Sequence, residues 1–207
     1  MAFSELFLLS KVKAMARKID TKAKREPMPT IIGAGITEQA YFSHLKTIYD
    51  YRIKVRPRFF GTETAEGLAK KIAEVIAAEG IAICVFDADV STWNEVEKAR
   101  LDKLRTRYAK NKRVILCDSL PAIEYWFLLH YENTNRHFGT SKAVIQELKH
   151  FIPDYDKTEQ FLGNKKWVAD MSSDGKQDIA CKRAKQFGYD GESYSKVHKI
   201  FEVISKH

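Results

Sequence analysis

The sequence predicts an α/β fold, with a mostly parallel four-stranded sheet flanked by helices and a helical C-terminal extension. Two observations favour it. Short apolar runs typical of buried strands alternate with longer segments whose apolar residues recur at helical spacing. A helix-length segment follows each run, which indicates parallel strands joined by right-handed crossovers. Because 207 residues with 44% hydrophobic composition suffice for one core, we expect a single domain over residues 30–207.

The four strands are expected at residues 31–32, 53–60, 81–86 and 114–117. The second strand alternates apolar and basic side chains, so Lys54, Arg56 and Arg58 lie on one wet or charged face. These three cations are candidates for contacts with the phosphates of a nucleic acid. A solvated strand face explains them equally well.

Helices are expected between and after the strands. Thr37 is a suitable cap for the first helix, and Gly80 ends the helix over residues 64–78. Pro121 begins a nearly continuous apolar helix, which must be buried. Further helices are predicted at residues 95–110, 141–150, 176–187 and 193–205.

Residues 1–29 have the composition of a basic arm, either an amphipathic helix or a disordered tail. The whole chain has 35 Lys and Arg against 27 Asp and Glu, a net charge of +8. Such a field favours polyanions, so nucleic acid or an acidic partner is expected rather than a cationic ligand. A basic solvated surface with no partner is the alternative.

We expect a cytoplasmic protein with no membrane partner. The apolar run at residues 6–9 is far shorter than the ~20 residues that a membrane-spanning helix needs. The three cysteines form an odd set without the spacing of metal ligands. Small buried thiols in a reducing compartment account for them.

The most informative motif is Phe-Asp-Ala-Asp at residues 86–89, where the third strand ends. Side chains two positions apart in an extended segment point the same way, so Asp87 and Asp89 bring two carboxylates to one edge. Such a pair is stable when a cation such as Mg²⁺ lies between its members. The first strand ends in Gly-Ala-Gly at residues 33–35 and should open into the same crevice. Ala34 occupies the position where an acid is expected.

Three further residues are candidates for this site. Glu38 follows the first strand and could complete a metal shell directly or through water. Glu124 is the one acidic residue of the apolar helix, so it needs either a metal or a basic partner. Ser119 is a weaker candidate for a phosphate or water contact. An Asp-x-Asp sequence alone is more often a turn or a cap, but its position after a buried strand favours a metal site.

The motifs together resemble the RloB-like family of TOPRIM proteins. The resemblance is carried by Gly-x-Thr-Glu-x-x-Tyr-Phe at residues 35–42, Phe-Asp-x-Asp at 86–89 and Ser-x-Pro-x-x-Glu-x-Trp-x-Leu-Leu-His at 119–130. The stretch at 180–204 also fits. The resemblance implies a TOPRIM fold, related to the overcoming-lysogenization-defect nucleases, and a role in bacterial anti-phage defence by abortive infection. It also implies an ATPase partner of the AAA or ABC type.

In TOPRIM nucleases, a glutamate after the first strand and two aspartates of a later strand hold one or two Mg²⁺ or Mn²⁺ ions. The resemblance therefore implies a nuclease acting on DNA or RNA, such as tRNA. Glu38, Asp87 and Asp89 would ligate the metal, and Glu124 is a candidate for a second ion. The family pattern places a glutamate at position 34. A methyl group can neither coordinate a cation nor accept a proton, so we expect this Ala34 chain to be inactive.

Ala34 has two explanations. One is a natural pseudoenzyme that is kept for binding. The other is a deliberate glutamate-to-alanine change that silences a toxic nuclease. We favour the deliberate change because the adjoining Thr37, Glu38, Tyr41 and Phe42 of the motif are intact.

Two other functions compete with the nuclease. A non-catalytic module would bind nucleic acid or nucleotide in the crevice and signal to an ATPase. A haloacid-dehalogenase-like phosphatase would use Asp87 as nucleophile and Asp89 as acid. That fold usually opens with its Asp-x-Asp motif, whereas here a long segment precedes it. The sequence leaves a homo-oligomer open and does not decide between DNA and RNA.

Overall fold

The computed structural model describes residues 27–56, 64–89, 94–189 and 191–204. Within these residues the chain has the predicted α/β fold, a mostly parallel sheet flanked by helices. Nearly all of the predicted basic arm, and Arg58 of the predicted second strand, lie outside the described residues.

The sheet has five strands in the order β2-β1-β3-β4-β5. The strands are β1 Thr30–Gly33, β2 Lys54–Val55, β3 Ala82–Asp87, β4 Val114–Leu120 and β5 Tyr194–Ser195. The first four run parallel, and β5 pairs antiparallel with β4. Because β1 and β3 are neighbours, the backbone amide of Ala34 donates to the carbonyl of Val85 at 3.0 Å. This register places Ala34 and Asp87 at the same edge of the sheet.

Nine helices lie in the described part of the chain. They are α1 Ile36–Tyr49, α2 Ala65–Ala77, α3 Glu95–Tyr108, α4 Ile123–Leu128, α5 Ser141–Leu148, α6 Glu159–Leu162, α7 Lys166–Ser172, α8 Lys176–Phe187 and α9 His198–Ile204. Side-chain caps begin several of them: Thr64 accepts from the Gly67 amide at α2, and Asn94 accepts from two amides at α3.

Helices cover both faces of the sheet, so it separates two hydrophobic clusters. Ile31 faces the larger cluster, which includes α1, the apolar helix α4 and the C-terminal helices. Ile32 faces the smaller cluster, which α2 and α3 close. Consecutive strand residues point to opposite faces, so a strand covered on both sides needs a continuous apolar run. This is why β3 could be recognised in the sequence.

Several boundaries differ from the prediction. The expected four-stranded sheet has a fifth strand, and the helix predicted over residues 193–205 begins only at His198. Tyr194 and Ser195 instead pair with Leu120 and Ser119 of β4. A two-residue strand has no apolar run to reveal it, since its backbone pairing depends on a distant strand.

The prediction for Thr37 is wrong. The N-cap of α1 is Gly35, with extended backbone angles, and no side chain caps this helix. Thr37 lies in the first turn and is buried. The helix expected from Pro121 begins at Ile123, after a cis Leu120–Pro121 peptide.

None of the helices in the described ranges is both long and apolar enough to span a bilayer. The three cysteines are free thiols, and Cys84 and Cys117 are buried in β3 and β4.

Candidate functional site

A cavity of about 350 Å³ opens at the carboxyl ends of β1 and β3. Ala34, Glu38, Asp87 and Asp89 all line it. Its outer wall comes from α2 and α3, and Lys157 reaches it from the segment between α5 and α6. The structure therefore brings to one place the residues that the sequence placed at the ends of two separate strands.

Glu38 is buried in the first turn of α1 and folds back against Gly35. A Cβ at position 35 would lie 2.7 Å from Glu38 Oε2, so a glycine leaves room for this carboxylate. Burial raises the pKa of Glu38 from 4.5 to about 7. Hydrogen bonds from the backbone amides of Glu38 and Gly35, together with Lys157, lower the pKa in part, whereas Glu124 adds to the increase.

Asp87 is the last residue of β3, and its Oδ1 accepts a hydrogen bond of 2.8 Å from the amide of Ile123. This bond joins the end of β3 to the start of α4. Burial raises the pKa of Asp87 well above its ordinary value, and the charges of Glu38 and Glu124 raise it further. The negative charges of Glu38 and Glu124 therefore disfavour the ionisation of Asp87.

Glu124 is fully buried in α4. Its Oε1 accepts hydrogen bonds from the Tyr155 hydroxyl at 2.7 Å and from Lys157 Nζ at 2.9 Å. Its Oε2 has no hydrogen-bond partner among the described residues. Glu124 thus has the basic partner that the sequence predicted, and its role as a metal ligand stays a prediction.

We call Glu38, Asp87, Glu124 and Lys157 the acidic cluster. Lys157 is the one described cation that acts on all three acids. Burial would lower the pKa of Lys157, but Glu124, Asp87 and Glu38 raise it overall. One ammonium group cannot balance three buried carboxylates, so Glu38 and Asp87 hold their protons more tightly than exposed acids do.

A second buried acid, Asp118, lies in the neighbouring strand β4. Its Oδ1 accepts from Lys196 Nζ at 2.9 Å, and its Oδ2 accepts from Arg105 Nη2 at 2.9 Å and from the Tyr194 hydroxyl at 2.7 Å. Burial alone would raise the pKa of Asp118, yet these contacts outweigh it and lower the pKa. We call these four residues the Asp118 cluster.

The acidic cluster has some of the properties of a metal site. Carboxylates are the ligands that Mg²⁺ and Mn²⁺ prefer, and a cation would relieve the repulsion between Glu38 and Asp87. However, in the described residues no three His, Cys, Asp or Glu side chains are grouped so that they could hold a metal ion. Ala34 lines the cavity but supplies no donor. The side chains of the described residues therefore do not form a metal site by themselves.

Comparison with known protein families decides the relationship of the chain. The model of a family described as RloB-like protein matches residues 30–204. The chain belongs to the RloB-like protein family. The matched region of this RloB-like chain runs from the start of β1 to the end of α9 and includes every residue of the acidic cluster. No curated protein and no solved structure matched the chain.

Two of the cations predicted to contact phosphates lie in or directly after β2, at one edge of the sheet. Lys54 of β2 is exposed and pairs in register with Thr30, at the opposite end of β1 from Ala34. Arg56 donates to Glu74 Oε2 at 2.6 Å. Neither residue lines the cavity. Their role in nucleic-acid binding stays a prediction, as does that of Arg58, which lies outside the described residues.

Ser119, the weaker candidate for a phosphate contact, is buried in β4. Its Oγ lies 2.8 Å from Ser195 Oγ, so the two hydroxyls share a hydrogen bond between β4 and β5. Ser119 does not line the cavity. This contact gives Ser119 a role in holding β5 against β4.

Sequence reasoning missed Tyr155 and Lys157. Both lie in the loop between α5 and α6, outside every motif that carries the family resemblance. One signal did point towards them, because a lone acid in an apolar helix requires a buried partner. The sequence cannot say which of its 35 basic residues is that partner, since the choice depends on how the loop packs on α4.

Proposed function

We propose that this chain is an inactive form of a metal-dependent TOPRIM nuclease, which hydrolyses phosphodiester bonds of DNA or RNA as an effector of bacterial anti-phage defence. The proposal rests on one observation above all: Ala34, Glu38, Asp87 and Asp89 line a single cavity where two neighbouring parallel strands end. The family resemblance implies this set of positions for a nuclease. One of the four is a methyl group instead of a carboxylate.

In the active form, an acid at position 34 would join Glu38, Asp87 and Asp89 in holding Mg²⁺ or Mn²⁺, with Glu124 a candidate for a second ion. Such a cation lowers the pKa of bound water and stabilises charge on the phosphoryl oxygens. The chain itself supplies the positioning. Gly35 leaves room for the Glu38 carboxylate, and the amide of Ile123 orients Asp87.

The pKa values support the inactivity of the Ala34 chain. A carboxyl group must lose its proton before it binds a cation well, and Glu38 and Asp87 both hold their protons more tightly than usual. An additional carboxylate at position 34 would provide another ligand for the cation, whose charge would then lower the pKa of all the acids together. Without it, metal binding has to compete with protons for fewer ligands.

The experiment that tests this function compares the present chain with Ala34→Glu and with Ala34→Gln. Each form is incubated with plasmid DNA and with total tRNA, in Mg²⁺, in Mn²⁺ and in a chelator. We expect metal-dependent cleavage from Ala34→Glu alone, because Ala34→Gln matches its size without its charge. The cleaved nucleic acid would identify the substrate class. Equal cleavage by Ala34→Gln, or cleavage that persists in chelator, would contradict the proposed role of position 34.

A non-catalytic module is the second candidate, and the methyl group of Ala34 in the cavity wall favours it. In that case the chain binds nucleic acid or nucleotide in the cavity and signals to an ATPase of the AAA or ABC type. The distinguishing result is nucleic-acid binding by Ala34→Glu without any metal-dependent cleavage.

A further inference from the structure

A second groove lies beside the cavity, between α2 and α3, and has a volume of about 360 Å³. The wall formed by α2 consists mainly of the small side chains of Ala65 and Ala69. The wall formed by α3 contributes three cations, Arg100, Lys103 and Arg107. The groove is therefore open on one side and strongly basic on the other.

The groove and the cavity are adjacent. Ala65 lines both of them. Glu97 lines the cavity and pairs with Arg100, which lines the groove, at 2.5 Å. A chain-like ligand lying in the groove would therefore reach the mouth of the cavity that holds Asp87 and Asp89.

Two of the three cations are available to an external anion. Arg100 is occupied by Glu97 and lies 4.0 Å from Glu66, the one acid that lines the groove. Lys103 and Arg107 are exposed and make no ion pair with any described residue. The Arg107 guanidinium lies 5.3 Å from the ring centroid of Tyr108.

The C-terminal part of α3 and the residues after it are also strongly basic in sequence. Residues 103–113 contain six basic residues and no acidic residue. Positions three and four apart share one face of a helix, so Arg100, Lys103 and Arg107 form a single stripe. At a rise of ~1.5 Å per residue the stripe extends over ~10 Å, so its cations can contact neighbouring phosphates of one nucleic-acid strand.

We propose that the groove between α2 and α3 binds the phosphodiester backbone of the nucleic acid and leads it into the cavity. This inference rests on the proposed function and adds the path by which the substrate reaches the site. It assigns the main phosphate contacts to Lys103 and Arg107, not to the edge strand β2. Lys54 of that strand lies at the opposite end of β1 from the cavity.

The test uses the present Ala34 chain, so that cleavage does not disturb a binding measurement. Fluorescence anisotropy measures its affinity for labelled duplex DNA and for labelled tRNA over a range of salt concentrations. The groove variant is Lys103→Glu with Arg107→Glu. The matched control is Lys142→Glu in α5 with Lys149→Glu at the C-cap of α5. This helix packs on the opposite face of the sheet, and the two changes alter the net charge by the same amount as the groove variant.

We expect the groove variant to bind nucleic acid at least about tenfold more weakly than the parent. The slope of log affinity against log salt should become less steep by about two, one for each lost phosphate contact. The affinity of the control variant should fall by less than about threefold, because only its net charge has changed. The nucleic acid that shows the larger loss identifies the substrate class. Lys103→Gln with Arg107→Gln should give an intermediate loss, and it serves as the second variant if charge reversal prevents folding.

Equal losses in the groove variant and the control, an unchanged salt slope, or no binding of either nucleic acid by the parent would overturn the groove. The proposed function is tested separately, by introducing the groove substitutions and the control substitutions into Ala34→Glu and measuring cleavage. Cleavage that survives in the groove variant contradicts the groove and leaves the nuclease intact. Groove-dependent binding without cleavage by any Ala34→Glu form supports the groove and rejects the nuclease.

Discussion

The acidic cluster and the Asp118 cluster are two solutions to the same problem, a buried carboxylate in one parallel sheet. They lie in adjacent strands, since Asp87 of β3 is in register with Ser119, the residue after Asp118. Asp118 has two cations and a hydroxyl to itself. In the acidic cluster three carboxyl groups share one lysine.

The pKa values record this difference. Burial raises the pKa of a carboxyl group in both places, but the partners of Asp118 reverse the effect and those of Glu38 and Asp87 do not. A buried acid whose charge is compensated stabilises the fold. A group of acids left under-compensated at a cavity is typical of a functional site. Burial of an acid alone is therefore a poor guide to function, and the balance of charge around it is a better one.

The largest expected effect breaks the compensated cluster. Asp118→Ala should lower the free energy of unfolding by about 3–5 kcal/mol at pH 7, because Arg105 and Lys196 lose their buried partner. Because the pKa of Asp118 is lowered in the folded protein, its contribution is present above the ordinary value of 3.8 and is lost as the pH falls below it. Urea denaturation at pH 7 measures the loss.

The matched control for this change is Asp102→Ala, which removes an exposed aspartate that also pairs with Arg105. It should cost less than about 1 kcal/mol. If both variants lose the same amount, the buried contacts of Asp118 are not what stabilises this region.

The next effect has the opposite sign. Glu38→Gln should stabilise the protein by up to about 3 kcal/mol at pH 8, measured by urea denaturation in a chelator. The pKa of Glu38 is about 7 in the folded protein, above its ordinary value of 4.5, so ionisation of Glu38 reduces stability as the pH rises from 4.5 to about 7. Below pH 4.5 the acid is protonated in both states, so the parent and the variant should differ little.

Glu147→Gln is the control for the sign of this effect. Arg136 lowers the pKa of Glu147, so the same substitution there should slightly destabilise the protein at pH 8. A Glu38→Gln variant that is no more stable than the parent at pH 8 would mean that the ionised Glu38 is well compensated.

A smaller effect comes from removing the one cation of the acidic cluster. Lys157→Met should destabilise the protein by about 2 kcal/mol at pH 8, because Glu124 loses a charged hydrogen-bond partner. The loss should be smaller at pH 5, where Glu38 is largely protonated and less negative charge is left without a partner. Unfolding curves at the two pH values test this. The control is Lys166→Met, which removes an exposed ion pair with Asp170 and should change stability little at either pH. If the loss for Lys157→Met does not depend on pH, it comes from the packing of the Lys157 methylene groups and not from the charge.

The smallest effect concerns metal binding and depends on the proposed function. A cation present at its own Kd stabilises the folded state by about 0.4 kcal/mol, and the gain rises as the Kd falls below that concentration. We expect Mg²⁺ to raise the melting temperature of the present chain slightly and that of Ala34→Glu clearly more. The measurement is thermal denaturation with Mg²⁺ and with a chelator. If Mg²⁺ raises the melting temperature of both forms equally, position 34 takes no part in metal binding.

Prediction from the sequence was most successful for features that local patterns encode. The strands β1, β3 and β4 have apolar runs because both faces of the sheet are covered. The shared edge of Ala34 and Asp87 follows from the geometry of adjacent parallel strands. Each of these inferences needs only a short stretch of sequence and a general rule of packing.

The features that escaped prediction depend on contacts between distant segments. β5 exists because two residues near position 194 pair with the end of β4. Lys157 joins the acidic cluster because its loop packs against α4, and Ser119 turns to Ser195 instead of the cavity. No local pattern distinguishes these residues from others of their type.

The order of these contacts along the chain has a consequence for protein synthesis. Both clusters receive partners from late segments: Lys157 completes the acidic cluster, and Tyr194 and Lys196 complete the Asp118 cluster. A nascent chain on the ribosome therefore exposes Asp87 and Asp118 long before their cationic partners have been translated. The candidate site cannot reach its final form until the loop that carries Lys157 has been synthesised, and the Asp118 cluster cannot do so until Lys196 has followed, which keeps a shorter polypeptide from assembling either cluster.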